Sequence, residues 1–361
     1  MLKITHIIPP DIEFPPIKYG GTERVAYNLL NAQISQYRVL QKVLNEDIIF
    51  EIFAKINKTF MQQLEDIISK YSIMLNFYTC PGTSYNYYIL CAIRKILKSQ
   101  KEGREKIIIH NHVIQRNSFI LLHLSSLGKN SVTTLHYDPP LYKFSSFTSL
   151  FLKGKLIAIS KNQYDRLKRF LGLALYGYVH NGIPVDEFPF CKDKDDYFIS
   201  INAITYAKGV HNAIILSRKL KTKLILIGPI RDYKYFEILR KYFNKYVTYL
   251  GEVDEETKRR LLCKARALLF PVEREEYFGL NMVEAMACGT PVIAFNRGAV
   301  PEIIQHGATG FIGYSVEELM KYAQQLDKLD PKVIREYTRR KFSSESMALK
   351  YTLIYKSMLN S

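Results

Sequence analysis

Residues 268–304 read LLFPVEREEYFGLNMVEAMACGTPVIAFNRGAVPEII, and the fold is decided there. Ala267 to Phe270 is a short apolar run that suits a buried strand, and Pro271 ends it. A charged loop follows. From Gly279 the apolar residues Leu280, Val283, Met286 and Ala287 recur at helical spacing, and Cys288-Gly289-Thr290-Pro291 supplies the stop. Val292 to Phe295 resumes as a strand. The unit is strand, loop, helix, strand, about the length of one parallel crossover.

Two carboxylates give this stretch its chemistry. Glu276 precedes the helix, and Glu284 lies inside it. The backbone N–H groups of Phe278, Gly279 and Leu280 fall at the helix N-terminus, where unpaired donors and the dipole favour an anion. Carboxylates are poor phosphate ligands and good acceptors from sugar hydroxyls. A phosphate at the helix end, with one glutamate on each side, suggests a ligand made of sugar, diphosphate and ribose. Two glutamates alone would read as surface acids, since charged side chains are mostly exposed. Their surroundings change that reading.

The run EYFGLNMVEAMACGTPVIAFNRGAVPEII closely resembles the donor-site signature of the family 4 retaining glycosyltransferases, which have the GT-B fold. The family separates two glutamates by seven residues, the spacing of Glu276 and Glu284.

The chain has 361 residues, which sets two domains as the starting expectation. With 47% hydrophobic and 24% charged residues it matches a globular enzyme with ample core. No run approaches the roughly 18–20 apolar residues of a spanning helix. Met1 to Ile8 reads as a first strand and lacks a signal peptide's small-residue cleavage site. The five cysteines are scattered, and none has metal or redox spacing, so a reduced cytoplasmic compartment is expected. Net charge is +17, and residues 1–180 hold 23 Lys and Arg against 12 Asp and Glu. That excess suits an anionic partner, including peripheral contact with an anionic membrane at its inner face, or a merely solubilising surface. No nucleic-acid-binding signature is present, and none is expected to act here.

From the N-terminus, Lys3 to Ile8 is a strand and Pro9 to Lys18 a loop that cannot be helical. Tyr19-Gly20-Gly21-Thr22-Glu23-Arg24 then opens a helix, and the glycine pair lets a ligand approach the backbone. YGGTERVAYNLL resembles the family's first loop, which packs near the donor phosphates. Further strands are expected at Ile48–Ala54, Ser72–Tyr78, Lys106–Ile109, Ser131–Leu135 and Lys155–Ile159, with helices over Asn57–Lys70 and Tyr88–Lys98. Likeness to the family fades over residues 31–105, where its usual Gly-His turn is replaced by SQYRVLQKVLNED. His110-Asn111-His112 reads as pocket lining rather than a metal site, because no third ligand lies near in sequence. His136 falls just beyond a strand's C-terminal end, the edge where ligands sit in open α/β sheets, and it resembles the family's histidine near the transferred sugar.

YVHNGIP, at 178–184, resembles the family's turn at the passage between domains. Beyond it, strands at Tyr197–Ile201, Lys223–Ile227, Val247–Leu250, Ala267–Phe270 and Val292–Phe295 alternate with helices, which specifies a parallel doubly wound sheet. Lys208-Gly209 resembles the pair closing the family's diphosphate clamp. Asn202-Ala203 stands where the family has Gly-Arg, so one expected cation is missing, and Arg231 follows a neighbouring strand.

The resemblance implies an α/β GT-B chain of two Rossmann-like doubly wound parallel-sheet domains facing a central cleft. The expected division is residues 1–182 on the acceptor side, with the helix 343–361 packing back on them, and 183–342 as the nucleotide-sugar domain. It implies a retaining, metal-independent transfer of a hexose-like sugar from a UDP-, GDP- or ADP-linked donor to an unidentified acceptor, a glycolipid, polysaccharide or small metabolite, with no cofactor. Glu276, Lys208 and His136 would be catalytic. Gly20, Gly21, Phe278, Gly279, Leu280 and Glu284 would bind the donor, Glu284 through the ribose. The alternatives are a non-catalytic GT-B protein that binds nucleotide sugar or an anionic polymer, and a sugar-nucleotide epimerase.

Overall fold

A strand that is apolar on both faces is stable only where helices cover both sides of its sheet, and the chain builds two such sheets. The computed structural model describes residues 1–361 apart from 17–19, 57–72, 81–83, 103–104, 116–117, 140–151, 244 and 361. One compact unit comprises Met1–Gly182 with Ser344–Ser361, and the other Ile183–Ser343.

The first unit contains β1 (Leu2–Ile7), β2 (Ile48–Phe53), β3 (Met74–Tyr78), β4 (Lys106–Asn111), β5 (Ser131–Leu135), β6 (Lys155–Ala158) and β7 (Leu175–Tyr178). They pair in parallel in the order β3-β2-β1-β4-β5-β6-β7. Helix α1 (Gly21–Ser35) packs against the C-terminal helix Ser344–Leu359. Helix α2 (Lys161–Leu171) is capped by Ser160, whose hydroxyl accepts from Gln163 N–H.

The second unit contains β8 (Asp195–Ile201), β9 (Lys223–Ile227), β10 (Val247–Tyr249), β11 (Ala265–Phe270), β12 (Val292–Phe295) and β13 (Gly310–Gly313). Their parallel order is β10-β9-β8-β11-β12-β13. Between strands run α3 (Val210–Leu220), α4 (Glu255–Lys264) and α5 (Leu280–Ala287). Asp254 caps α4 by accepting from Thr257 N–H.

Most elements fall where hydrophobic spacing puts them. Strands β7 and β13 do not: each is four residues with a glycine inside or at its ends, too short to show a period. Pairing with β6 and β12 makes them strands. The helix expected over Asn57–Lys70 lies outside the described residues. Four of the five cysteines, expected from their scatter to be reduced, are instead disulfide-bonded. Cys80 pairs with Cys91 and Cys191 with Cys263, leaving Cys288 as a buried thiol. Separations of 11 and 72 residues gave no pattern to read. Among the described residues no helix is long and apolar enough to cross a membrane.

In both sheets the strand order reverses beside the first strand, with β1 against β4 and β8 against β11. Crossovers leave such a point toward opposite faces and open a crevice beyond the strands' C-terminal ends. In the second unit two backbone contacts set the loops there. Gly209, at φ +63°, passes so near the β11 exit that a Cβ would lie 1.8 Å from the Pro271 carbonyl oxygen. The N–H groups of Glu273 and Arg274 donate to Ala207 O at 3.1 and 3.3 Å. Gly298, at φ +55°, would place a Cβ 2.2 Å from Glu276 O, and Ala299 N–H donates to that oxygen at 2.8 Å.

Gly209→Ala therefore carries both a left-handed penalty and a backbone clash, and should cost about 1–3 kcal/mol more than Gly251→Ala. Gly251 shares the positive φ but a Cβ on it would meet nothing within 4 Å. Urea unfolding of the two variants measures the difference. Equal losses would show that the approach to Pro271 is not tight.

Candidate functional site

Lys208 follows β8 and Glu276 follows β11, so both leave the C-terminal ends of the two strands at the second unit's switch point. Lys208 Nζ donates to Glu276 Oε2 at 2.7 Å, with the two side chains 16% and 9% exposed. A charge-assisted bond so poorly hydrated is stronger than a surface pair, and each group holds the other in place. Glu276 is fixed through its backbone by the Gly298-Ala299 contact already described.

Beside this pair begins α5. Gly279 is its N-cap at φ +87°, no side chain caps the helix, and its first turn carries no acid. The positive end of the dipole is thus left for a ligand. The site of a Cβ on Gly279 lies 3.5 Å from Glu276 Cγ, so helix end and carboxylate are neighbours. Phe278 is buried with its ring edge-on to Phe342 at 5.9 Å, and Leu280 is half-buried. Asn281 Nδ2 donates to Ile201 O at 2.6 Å and ties the first turn of α5 to the end of β8.

Glu284 is not a solvated acid. It is 2% exposed, and its Oε2 lies 3.0 Å from Lys258 Nζ on α4. Lys258 also pairs with Glu255 at 2.9 Å. Sequence reading missed Lys258, because nothing in α4 distinguishes it from an ordinary helix lysine. Arg231 does reach the same sheet edge, since its N–H donates to Ile204 O at 3.3 Å. Asp193-Lys194-Asp195 has an acid pair at Asp-x-Asp spacing, where the reading of the sequence counted none. Asp195 opens β8 at the N-terminal end, away from the edge bearing Lys208. Lys194, lowered to about 8 by burial, donates to the carbonyls of Cys263 and Cys288 and to Thr290 Oγ1.

The remaining expected residues belong to the first unit. Gly20 is the N-cap of α1, and a Cβ there would lie 3.0 Å from Pro16 Cβ. A Cβ on Gly21 would meet nothing within 4 Å among the described residues, so none of these blocks approach to the backbone at that point. Glu23, in the first turn, is buried, and burial together with nearby Asp11 raises its carboxyl above the usual range.

His136 lies one residue past β5 and is 9% exposed. Its Nε2 is 3.1 Å from His112 Nδ1, and His112 Nε2 is 3.4 Å from His6 Nδ1. His6 Nε2 is 2.9 Å from Gln33 Oε1. His110, in register with His6 across β1 and β4, places Nδ1 2.6 Å from Tyr355 Oη and Nε2 2.8 Å from Thr134 Oγ1. Burial lowers His6 to about 4 and His136 to about 3, and holds His110 and His112 well below the usual value. All four are neutral at pH 7.

His6 is the third histidine that spacing in sequence hid. One ring nitrogen from each of His6, His110 and His112 falls within 4.8 Å of the others, the separation a metal would require. Two of the three ring pairs, however, are stacked, and the third, His6 with His110, is inclined by 31°. His110 and His112 lie 4.3 Å apart at 19°, and His6 and His112 are inclined by 14°. Parallel rings do not turn three lone pairs onto one point, and both His110 nitrogens are already hydrogen-bonded.

Residues 186–341 match the family model described as glycosyl transferases group 1. The N-acetyl-alpha-D-glucosaminyl L-malate synthase of Bacillus anthracis is 29% identical over 46% of this chain and 47% of its own length. The O-antigen chain mannosyltransferase RfbU of Salmonella typhimurium is 25% identical over 62% of this chain and 64% of its own. The chain thus spans less than two thirds of the length of these curated relatives. A glycosyltransferase structure from Rickettsia africae superposes with a TM-score of 0.75 at 18% identity, covering 99% of each chain. Anabaena HepE, solved in complex with UDP and glucose, gives 0.68 at 18% identity over 98% of this chain and 99% of its own. The chain has the GT-B fold of these glycosyltransferases, and its residues 186–341 carry the group 1 glycosyl transferase pattern.

Proposed function

We propose that the chain is a nucleotide-sugar-dependent glycosyltransferase of the retaining, metal-independent kind found in family 4. The observation that carries this reading is the Lys208–Glu276 pair beside the uncapped N-terminus of α5, at the switch point of the second sheet. A cation and the amides of a helix start suit a diphosphate, and a carboxylate suits sugar hydroxyls. Without donor, Lys208 and Glu276 satisfy each other. With donor, the diphosphate takes Lys208 and the α5 amides, and a hydroxyl of the transferred sugar takes Glu276.

Glu284 Oε2 lies 3.0 Å from Lys258 Nζ but accepts no hydrogen bond among the described residues, and the Glu284 carboxylate would accept from the ribose. His136 would bond a hydroxyl of the transferred sugar. In the reaction the bond from the anomeric carbon to the diphosphate oxygen breaks, and the acceptor oxygen bonds that carbon on the same face. The acceptor's proton passes to the leaving phosphate, whose charge Lys208 and the helix end stabilise. Retention and freedom from metal are supported by the signature around Glu276 and Glu284, and by a cation already standing where a metal would serve.

UDP-glucose is the first donor to try, since the Anabaena neighbour holds UDP and glucose. The positive excess in residues 1–180 supports an anionic acceptor and peripheral contact with an anionic membrane.

Glu276→Ala is expected to reduce UDP release from UDP-glucose with acceptor present by about a hundredfold or more, while UDP affinity is kept. Unchanged turnover would remove Glu276 from the reaction. Lys208→Ala should raise the Kd for UDP about tenfold or more, measured by titration calorimetry. An unchanged Kd would place the diphosphate elsewhere. Strongly salt-dependent binding of an anionic polymer, with no turnover of any nucleotide sugar, would favour a binding protein instead.

A further inference from the structure

The hydrogen bonds behind His136 have a direction, and the Gln33 amide sets it, because its Nε2 can only donate and its Oε1 only accept. Tyr355 Oη lies 2.6 Å from His110 Nδ1 and 3.2 Å from Gln33 Nε2. The Gln33 amide donates to the phenol oxygen, which leaves the phenol O–H for His110 Nδ1 and the His110 Nε2–H for Thr134 Oγ1. That orients Gln33 with its Oε1 toward His6, at 2.9 Å from Nε2.

The rest follows from each neutral imidazole having one donor and one acceptor. His6 Nε2–H donates to Gln33, so His6 Nδ1 bears the lone pair. His112 Nε2–H donates to it at 3.4 Å, so His112 Nδ1 bears the next lone pair. His136 Nε2–H donates to that at 3.1 Å. His136 is left with an unprotonated Nδ1. His6, Gln33 and His110 are fully buried and His112 is 1% exposed, whereas His136 at 9% is the end nearest solvent.

We propose that Gln33, His6 and His112 are positioning residues that lock His136 in its Nε2–H tautomer, so that Nδ1 faces its ligand as a hydrogen-bond acceptor. The ligand group bound there must be a donor, and for a sugar that means a hydroxyl giving its proton. Choice of that hydroxyl rests on the reading of His136 given above; the tautomer does not. Gln33 acts three side chains away, through bonds that would all reverse if its amide turned over.

The test is long-range 1H–15N spectroscopy of the full chain labelled at histidine, near pH 7, with His136→Asn to identify the His136 signals. A pyridine-type shift at His136 Nδ1 and a pyrrole-type shift at Nε2 are expected, and the same pattern for His6 and His112. Gln33→Leu removes the acceptor, and His136 should then show both tautomers. A single Nδ1–H tautomer at His136 in the parent protein would overturn the proposal, and so would a Gln33→Leu spectrum unchanged at His136. Ring signals that shift when EDTA is added would also overturn it, by showing a metal on the nitrogens. If Gln33→Leu does not fold, the parent spectrum still decides. UDP release from UDP-glucose by His136→Ala separates this from the functional reading. Full turnover there would end the role of His136 and leave the tautomer result standing.

Discussion

A parallel sheet whose strand order reverses cannot cover its own switch point, because crossovers on each side leave toward opposite faces. That constraint organises both units. In the second it exposes the C-terminal ends of β8 and β11, and Lys208 and Glu276 stand on the loops leaving those two ends. The loops are long enough to carry side chains inward and are held by contacts only glycine allows. At Gly209 the β8 loop touches Pro271, and at Gly298 the β12 loop touches Glu276. That contact holds the backbone of Glu276, and Lys208 holds its carboxylate.

Much of this was legible because it rests on local pattern. The run from Leu268 to Ile304 shows strand, loop, helix and strand by spacing alone, and the helix start at Gly279 marks where an anion could sit. What was not legible depends on partners distant in sequence. Lys258 meets Glu284 from another helix, His6 meets His112 from another strand, and Cys191 meets Cys263 across 72 residues. The short strands Leu175–Tyr178 and Gly310–Gly313 exist because a neighbouring strand offers an edge, which no period within four residues can reveal.

The first unit solves a different problem at its own switch point. Polar rings at the centre of a sheet are costly unless every donor and acceptor is met. His6, His110 and His112 meet that condition through Gln33, Thr134, Tyr355, His136 and the His6–His112 bond, and the C-terminal helix supplies Tyr355 to the set. Neutral rings linked in one direction carry information about protonation from the buried end to the exposed one. The positions sequence reading took for separate motifs, HNH at 110–112 and His136, are one network.

On the function proposed above, the edge bearing Lys208, Glu276 and Gly279 binds a nucleotide sugar. A thermal-shift comparison of UDP-, GDP- and ADP-glucose, with Glu284→Ala as control, tests it most directly. At a hundred times its Kd the correct donor adds about 2.7 kcal/mol of stability. One of the three should raise the melting temperature of the parent and leave the variant's unchanged. If none stabilises the parent, or if parent and variant respond alike, the site is not where the account places it.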